Sequence, residues 1–379
     1  MGVELLIGAT AATVLGIIVG YVTILGARAF GIGVDCNQAQ YKSHDHCVPR
    51  LGGIAVSAGF FSGGAVLSWL GNYQTDVFFV LSLSLMPALL IGLLEDFTQS
   101  VSTMIRLLVT MISAALAYWL LDVSLLSLGI DALDYLLLLH PAVGFGFMLV
   151  AVAGVSHAFN IIDGCNGLSS FIAMIVLSSL AAVAFQVDDT FVMCAATVGA
   201  ASMFGFFVWN FPFGRLFMGD GGAYFTGMLI AVLSIMLVSR NPDVSPWFPM
   251  LLVMYPVWET VYSAYRRVVI QKISPGTADR LHLHNLVYFR VVPRVDVTTD
   301  LVRRQVLRSS TTSAHIWLLA IACAIPALLF WDESQSLMLC CGLFALSYVG
   351  LYRSLVRFRS VSLPLLRSKK ASIEAPSEA

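Results

Sequence analysis

Residues 77–96 read VFFVLSLSLMPALLIGLLED, which is eighteen uncharged residues followed by two adjacent carboxylates. A helix that crosses the roughly 30 Å hydrocarbon core of a bilayer needs about 20 mostly apolar residues, so this stretch is long enough to span a membrane. The rest of the chain has the same character, because 58% of its 379 residues are hydrophobic and only 11% are charged. Soluble domains carry about 25% charged residues, so the composition predicts a multi-spanning membrane protein.

Similar apolar stretches recur along the chain and predict an all-α polytopic membrane protein with about eleven transmembrane helices. The first is too long for a signal peptide and lacks a basic start and a cleavage site, so we interpret it as a retained span. Asp131 and Asp134 interrupt the apolar segment 124–139, which we interpret as a loop or a short interfacial element. The predicted spans are 3–26, 52–71, 77–94, 105–121, 142–159, 168–186, 190–209, 222–239, 246–265, 314–331 and 336–352.

The basic residues predict the orientation of these spans. When alternate loops are assigned to one side, that side holds twenty of the 21 Lys and Arg residues, and only Arg240 falls on the other. Loops rich in Lys and Arg stay in the cytoplasm. We therefore expect a multi-pass cell (inner) membrane protein with its N-terminus outside, its C-terminus in the cytoplasm and its basic loops on the cytoplasmic side.

The domain organisation is predicted to be simple. We expect one membrane domain over residues 1–360, with a large cytoplasmic loop at 266–313, and a basic, disordered tail at 361–379. The seven Cys residues lack paired C-x-x-C spacing, which argues against a disulfide framework or a zinc ribbon. The 21 basic and 22 acidic residues nearly balance, and we expect the bilayer, and no nucleic acid, as a partner.

Five polar segments fall at the cytoplasmic ends of the predicted spans, namely 35–53, 95–96, 160–167, 217–222 and 274–285. A transporter of lipid-linked sugars would instead place ionisable residues at mid-membrane and show an internal repeat. Carboxylates gathered at one membrane face favour an interfacial enzyme that handles a hard cation. A transporter and an inactive scaffold remain the alternatives from other classes.

Several residues in these segments are candidates for binding phosphate. Lys42, His44 and Arg50 could donate to a lipid phosphate at headgroup depth. Arg280, with His282 and His284, could clasp a phosphate or diphosphate, although solvated histidines would explain the same pattern.

The carboxylates are candidates for catalysis and metal binding. Glu95 and Asp96 end a span and, as neighbours on a helix, point about 100° apart toward different partners, which a magnesium ion or a substrate could supply. Asn160 and Asp163 stand one helical turn apart and suit a sugar or a nucleobase edge. Asp220 begins a span whose backbone N–H groups could bind an anion, and it could hold a metal that bridges phosphates. We expect folding to tolerate Asp220→Asn.

In this order, the segments resemble the polyprenyl-phosphate N-acetylhexosamine-1-phosphate transferases, which form glycosyltransferase family 4 and include undecaprenyl-phosphate GlcNAc-1-phosphate transferases. The resemblance runs from about Asp35 to Asn285. P-R-L-G-G and H-L-H resemble the N-acetylhexosamine branch more than the branch that transfers phospho-MurNAc-pentapeptide, which tends toward M-G-G and a triple histidine. The motifs are V-P-R-L-G-G at 48–53, N-I-I-D-G-x-N-G-L at 160–168, F-M-G-D-G-G at 217–222 and H-L-H at 282–284.

The resemblance implies transfer of a sugar-1-phosphate, by default an N-acetylhexosamine-1-phosphate, from a UDP-sugar to polyprenyl (undecaprenyl) phosphate. UMP is released, and synthesis of a cell-surface glycan such as the O-antigen of lipopolysaccharide begins. The cofactor would be Mg²⁺, with Mn²⁺ as a substitute. Phospho-MurNAc-pentapeptide transfer is the runner-up, and both a monomer and a homodimer stay open.

The family's functional positions can be carried over residue by residue. The resemblance departs from the family pattern at Glu95, where an Asp is usual, at Gln99, the third acidic position, and at Asn166. Asp220 and Asp96 would hold the metal. The implied catalytic residues are Glu95, Asp96, Asp163, Asp220, His282 and His284, and the implied substrate-binding residues are Lys42, His44, Arg50, Asn160, Asn166 and Arg280.

Overall fold

A computed structural model describes residues 2–35, 48–71, 75–124, 127–273, 279, 281–292 and 301–357, without the side chains of residues 35, 301 and 302. Lys42, His44 and Arg280, which were predicted to bind phosphate, and the tail at 361–379 lie outside the described residues.

The described chain is almost entirely helical. Ten of its helices are long and apolar enough to cross a membrane, namely α1–α4, α6–α9, α13 and α14, which confirms the all-α polytopic fold. The helices are α1 (Gly2–Phe30), α2 (Gly52–Gly71), α3 (Thr75–Thr98), α4 (Thr103–Leu121), α5 (Asp131–Leu139), α6 (Pro141–Ile162), α7 (Leu168–Gln186), α8 (Thr190–Asn210), α9 (Gly219–Arg240), α10 (Trp247–Leu252), α11 (Met254–Tyr265), α12 (Leu283–Arg290), α13 (Leu301–Leu329) and α14 (Ser334–Val356). A π-helical segment, Arg266–Gln271, follows α11, and strands β1 (Val34–Asp35) and β2 (Val48–Pro49) pair antiparallel.

The predicted span at 246–265 differs from the others, because it is divided into α10 and α11 around Val253. Pro256 has no N–H to donate to the carbonyl of Leu252, and its ring crowds the preceding turn, so the helix is weakened where the break occurs. The two short helices still run consecutively. The interrupted segment 124–139 contains the nine-residue helix α5, in keeping with a short element rather than a span.

Helix α9 occupies the centre of the bundle and is buried from Gly219 to Leu237. It packs against α2, α3 and α6, among others. These helices approach closely through glycines: a Cβ at Gly53 would lie 2.5 Å from the Gly222 nitrogen, and one at Gly92 would lie 2.5 Å from the Gly221 Cα. The first turn of α9, with Asp220, therefore starts inside the protein, between the beginning of α2 and the end of α3.

Candidate active site

Asp220 is a buried carboxylate with four donors around it, and only 4% of the residue is exposed. Oδ1 accepts a hydrogen bond from Asn160 Nδ2 at 2.9 Å and one from Arg50 Nη2 at 3.4 Å. Oδ2 accepts one from the Tyr224 hydroxyl at 3.1 Å and one from Arg106 Nη1. A carboxylate offers about four acceptor sites, so all of them are filled. Two guanidinium groups from separate segments thus balance one buried anion.

Asp96 contacts the first turn of α9, beside Asp220, and has no exposed surface. Its two oxygens accept the backbone N–H groups of Asp220 at 2.8 Å and of Gly221 at 2.9 Å. The N-terminus of α9 does bind an anion, as predicted, but here the anion is Asp96 and not a phosphate. Gly219 makes this possible, because its φ of +71° suits glycine and a Cβ there would collide with Asp96 and with the Arg50 carbonyl.

Glu95 and Asp96 contact different partners, as their angle on the helix predicts. Glu95 Oε2 accepts the Val101 N–H at 2.8 Å, and its Oε1 lies 4.0 Å from Arg106 Nη1. Glu95 therefore ties the turn between α3 and α4 to the Asp220 cluster. Asp96 was predicted to bind a metal, and each of its oxygens already accepts one backbone amide of α9, so its role in this structure is to hold the first turn of that helix.

Asp163 follows the last residue of α6 and lies near Arg50 and Asp220. Burial raises the pKa of Asp163 to about 7, while Arg50 lowers it and Asp220 raises it by smaller amounts. Its carboxylate accepts no hydrogen bond within the described part of the chain. Asn160, one turn earlier, donates its side-chain N–H to Asp220. Of the predicted pair Asn160 and Asp163, only Asp163 is therefore available to bind a substrate.

Asn166 is placed differently from its predicted role in binding substrate. It is 1% exposed, and its Nδ2 donates to the carbonyl of Pro212 at 3.1 Å, while its backbone N–H donates to the hydroxyl of Ser309 at 3.0 Å. These contacts join the α6–α7 turn to the α8–α9 connection and to α13. Asn166 therefore supports the turn that carries Asp163, and a substrate cannot reach it in this structure.

The two predicted histidines lie in a second cluster, at the beginning of α12. His282 Nδ1 lies 2.9 Å from Glu259 Oε1, and its Nε2 lies 3.8 Å from Asp279 Oδ2. The ring of His284 stacks on that of His282 with centroids 5.5 Å apart. His284 is buried, and His282 contacts a carboxylate although its side chain is 14% exposed, so these are not two freely solvated histidines.

His284 links the second cluster to the first. It is buried against Gly164, where a Cβ would lie 2.8 Å from His284 Cδ2. Burial, followed by the effect of His282, lowers the pKa of His284 to about 4. His284 is therefore neutral at neutral pH. Because Gly164 follows Asp163 directly, the histidines lie next to the Asp163 side of the Asp220 cluster.

Comparison with known proteins agrees with the family resemblance inferred from the motifs. Residues 78–238 match the model of a family described as glycosyl transferase family 4, and this stretch includes Asp96, Arg106, Asn160 and Asp220. Over this stretch the chain is similar to glycosyl transferase family 4. The resemblance inferred from the motifs is thereby confirmed.

Three relatives show the range of the similarity. A probable undecaprenyl-phosphate N-acetylglucosaminyl 1-phosphate transferase of Bacillus subtilis is 26% identical over 302 residues, which cover 76% of this chain and 80% of the relative. A decaprenyl-phosphate N-acetylglucosaminephosphotransferase of Mycolicibacterium smegmatis is 27% identical, over 88% and 84% of the two chains. A phospho-N-acetylmuramoyl-pentapeptide-transferase of Streptococcus uberis is 30% identical, over 46% of this chain and 58% of its own length.

Two residues of the Asp220 cluster were not identified from the sequence. Arg106 was counted only as a topological charge, although it is an isolated basic residue that shortly follows a carboxylate pair. Tyr224 was not considered, although it stands four residues after Asp220 and so lies on the same face of α9. In the second cluster, the described partners of Glu259 are His282, Leu283 and Tyr348.

The residues around Asp220 provide only some of the ligands that a divalent cation needs. Within the described ranges, no three His, Cys, Asp or Glu side chains are placed to hold a metal together. A magnesium ion that also binds phosphates and water needs only one or two protein carboxylates. Asp220 could provide one, but its four acceptor sites are filled, so a cation fits beside it only when an arginine moves away.

Proposed function

We propose that this protein transfers an N-acetylhexosamine-1-phosphate from a UDP-sugar to polyprenyl phosphate, with undecaprenyl phosphate as the acceptor. UMP is released, and the lipid-linked sugar starts a cell-surface glycan such as an O-antigen. The observation that carries this proposal is the Asp220 cluster, in which Arg50 and Arg106 surround a buried carboxylate at one end of a membrane bundle. The names of the relatives from B. subtilis and M. smegmatis support the sugar and the type of lipid.

The proposed reaction is a single displacement at phosphorus. An oxygen of the lipid phosphate attacks the β-phosphorus of the UDP-sugar and forms a new P–O bond. The bond between that phosphorus and the oxygen bridging to the α-phosphate breaks, and UMP leaves with the bridging oxygen. The lipid phosphate is largely ionised at neutral pH, so the reaction depends on positioning and charge neutralisation more than on a strong base.

Arg50 and Arg106 supply positive charge where that neutralisation is needed. In the absence of a diphosphate, both guanidinium groups donate to Asp220. A diphosphate beside Asp220 offers them a second set of anionic oxygens, to which arginine donates strongly in bidentate geometry. Moving one arginine from Asp220 to the diphosphate also frees an acceptor site on the carboxylate.

That freed site is where we propose Mg²⁺, or Mn²⁺ in its place. When bound, the ion neutralises charge on the diphosphate, and Asp220 is the residue that would hold it. Asp163, half-buried and without a hydrogen bond to the described residues, is a further carboxylate in this region and would orient the lipid phosphate. Asp96 keeps the first turn of α9 in place.

The segment that carries His282 and His284, which we call the histidine loop, lies on the Asp163 side of the Asp220 cluster. His282 would direct Nε2 toward the diphosphate and donate to one of its oxygens only as the imidazolium, with both ring nitrogens protonated. The neutral, buried His284 would fix the distance between this loop and the α6–α7 turn. We further propose that this end of the bundle faces the cytoplasm, because the loops at this end hold nearly all of the basic residues.

The decisive experiment measures UMP release by purified protein supplied with undecaprenyl phosphate and one UDP-sugar at a time. UDP-GlcNAc and UDP-GalNAc are expected to support release that requires a divalent cation, and Asp220→Asn serves as the inactive control. Faster release from UDP-MurNAc-pentapeptide would favour the runner-up. No release from any donor, together with movement of lipid-linked sugar across vesicle membranes, would favour a transporter.

A further inference from the structure

The last helix, α14, holds the histidine loop in place through three contacts. The Tyr348 hydroxyl donates to Glu259 Oε2 at 2.6 Å, and the Tyr352 hydroxyl donates to the carbonyl of Leu281 at 2.9 Å. The Arg290 guanidinium, at the end of α12, donates to the carbonyl of Leu355. Helix α14 lies beyond the segments 35–285 that carry the motifs, so no motif pointed to it.

Glu259 is the point where these contacts meet the histidine. It is 1% exposed, and its Oε1 receives His282 Nδ1 at 2.9 Å and the Leu283 N–H at 3.1 Å. Tyr348 occupies Oε2. A buried carboxylate needs such donors to remain charged. The Leu283 N–H belongs to the first residue of α12, so the same carboxylate also fixes where that helix begins.

These contacts determine how His282 presents its ring. A carboxylate at Nδ1 requires the proton on that nitrogen and leaves Nε2 as the atom directed away from Glu259. Asp279 Oδ2 lies 3.8 Å from Nε2 of His282. Asp279 itself accepts hydrogen bonds from Ser263 Oγ at 2.5 Å and from Arg266. The ring is thus oriented from both ends.

We propose that Glu259 and Tyr348 are positioning residues for His282: Tyr348 holds the Glu259 carboxylate, and Glu259 fixes the Nδ1–H tautomer and the direction of Nε2. The inference deepens the proposed function, on which it rests, by assigning the C-terminal helix a part in the transfer reaction. Neither residue needs to touch the UDP-sugar or the lipid.

The kinetic test is a double-mutant cycle. Tyr348→Phe is expected to lower kcat about tenfold in the wild-type background, because it removes a hydrogen bond to a charged group, and to leave the KM for the UDP-sugar nearly unchanged. In a His282→Ala background the same change should cost less than about twofold, since residues that act through one another are not additive. Equal losses in the two backgrounds would overturn the proposal.

Two further variants control for structural damage. Tyr262→Phe removes a neighbouring tyrosine hydroxyl whose ring lies 5.6 Å from that of Tyr348, and which makes no hydrogen bond to the described residues, so its kcat should equal that of the wild type. Glu259→Gln keeps the size of the side chain and an acceptor for Nδ1–H, so it should lose less activity than Glu259→Ala. A Tyr262→Phe variant as impaired as Tyr348→Phe would contradict a specific role for Tyr348.

The tautomer can be measured without any activity. In full-length protein labelled with ¹⁵N-histidine, the His282 signals are those lost in His282→Ala. At a pH where the ring is neutral, the proton should reside on Nδ1 in wild type and in Tyr262→Phe, and should shift toward Nε2 in Glu259→Ala. A wild-type ring protonated at Nε2 overturns the positioning role, whereas a wild type with the Nδ1 proton but no transferase activity overturns the proposed function.

Discussion

Asp220 illustrates how burial changes what a single residue does. On sequence grounds it would face water, and Asp220→Asn would leave folding largely unaffected. In the structure it is 4% exposed and shares its charge with Arg50 and Arg106. Removing one partner of a buried ion pair typically costs about 3–5 kcal/mol, because the remaining charge is left uncompensated. The expectation of unaffected folding is therefore revised.

We predict that Asp220→Asn lowers turnover at least about a hundredfold, as expected when several kcal/mol of charge stabilisation are lost. Its melting temperature in detergent should also fall. UMP release across a magnesium titration and thermal unfolding would be measured together. The double variant Asp220→Asn/Arg106→Gln restores part of the charge balance and should regain stability without regaining turnover. Near-normal turnover in Asp220→Asn, with the same magnesium dependence as wild type, would remove Asp220 from the metal site.

Asp163 gives a pH dependence with a definite sign. Its pKa rises from 3.8 to about 7 on folding, so the folded protein keeps a proton that the unfolded chain releases between these values. The charged form therefore costs stability, and this cost grows as the pH rises toward 7. We predict that Asp163→Asn is more thermostable than wild type at pH 8, by a margin that shrinks at pH 5. Turnover of the wild type should rise through about pH 7, and that rise should be absent in the variant. A stability margin independent of pH would contradict this assignment.

Among the elements, the junction of α3 and α9 decides the geometry of the site. Asp96 at the end of α3 accepts the first amides of α9, and the two backbones must approach closely for this to happen. Gly92 allows that approach, since a Cβ there would lie 2.6 Å from the carbonyl carbon of Asp220. Backbone atoms cannot rotate away as a flexible side chain can, so a methyl group would push the helices apart.

We predict that Gly92→Ala destabilises the protein by about 1–3 kcal/mol, as overpacking of a close interface usually does. Turnover should fall as well, because Asp96 would lose its contact with the amides beside Asp220. Melting temperature and UMP release are the two measurements. Gly350→Ala is the matched control on α14, where an added Cβ meets no atom within 4 Å, and it should behave like wild type. If the two variants are equally stable, the close packing at Gly92 does not matter.

For the whole molecule, the ends of several helices meet at one end of the bundle. The beginnings of α2 and α9 and the ends of α3 and α6 surround Asp220, while α11, α12 and α14 bring the histidine loop to the neighbouring side. The opposite end carries Arg240, paired with Asp189 at 3.5 Å. From the distribution of basic residues we propose that the first of these ends faces the cytoplasm.

We predict the orientation with two single cysteines in a Cys-free background. Gln186, at the end of α7, and Ser100, after α3, are both exposed and lie at opposite ends of the bundle. A membrane-impermeant thiol reagent should label Gln186→Cys on intact cells and Ser100→Cys only after permeabilisation. The reverse pattern would place the Asp220 cluster outside the cell.

The membrane class, the approximate spans and the family resemblance can all be predicted from the amino-acid sequence. Apolar length and charge distribution are properties of the chain, and a bilayer imposes them on each span separately. For the same reason, short local patterns were enough to identify Arg50, Asp96, Asn160 and Asp220. The break in the span at 246–265 was also written locally, in Pro256, although its significance was missed.

The partner of each of these groups depends on how the helices pack. Asp96 binds the α9 amides, Asn166 is buried, and Arg106 joins Asp220 from 114 residues away. Hydrogen bonds and ion pairs depend on distances of about 3–4 Å between atoms that helix packing brings together. Glu259 and Tyr348, 89 residues apart, meet at the histidine loop only because α14 packs beside α11. Spacing along the chain carries no record of such contacts.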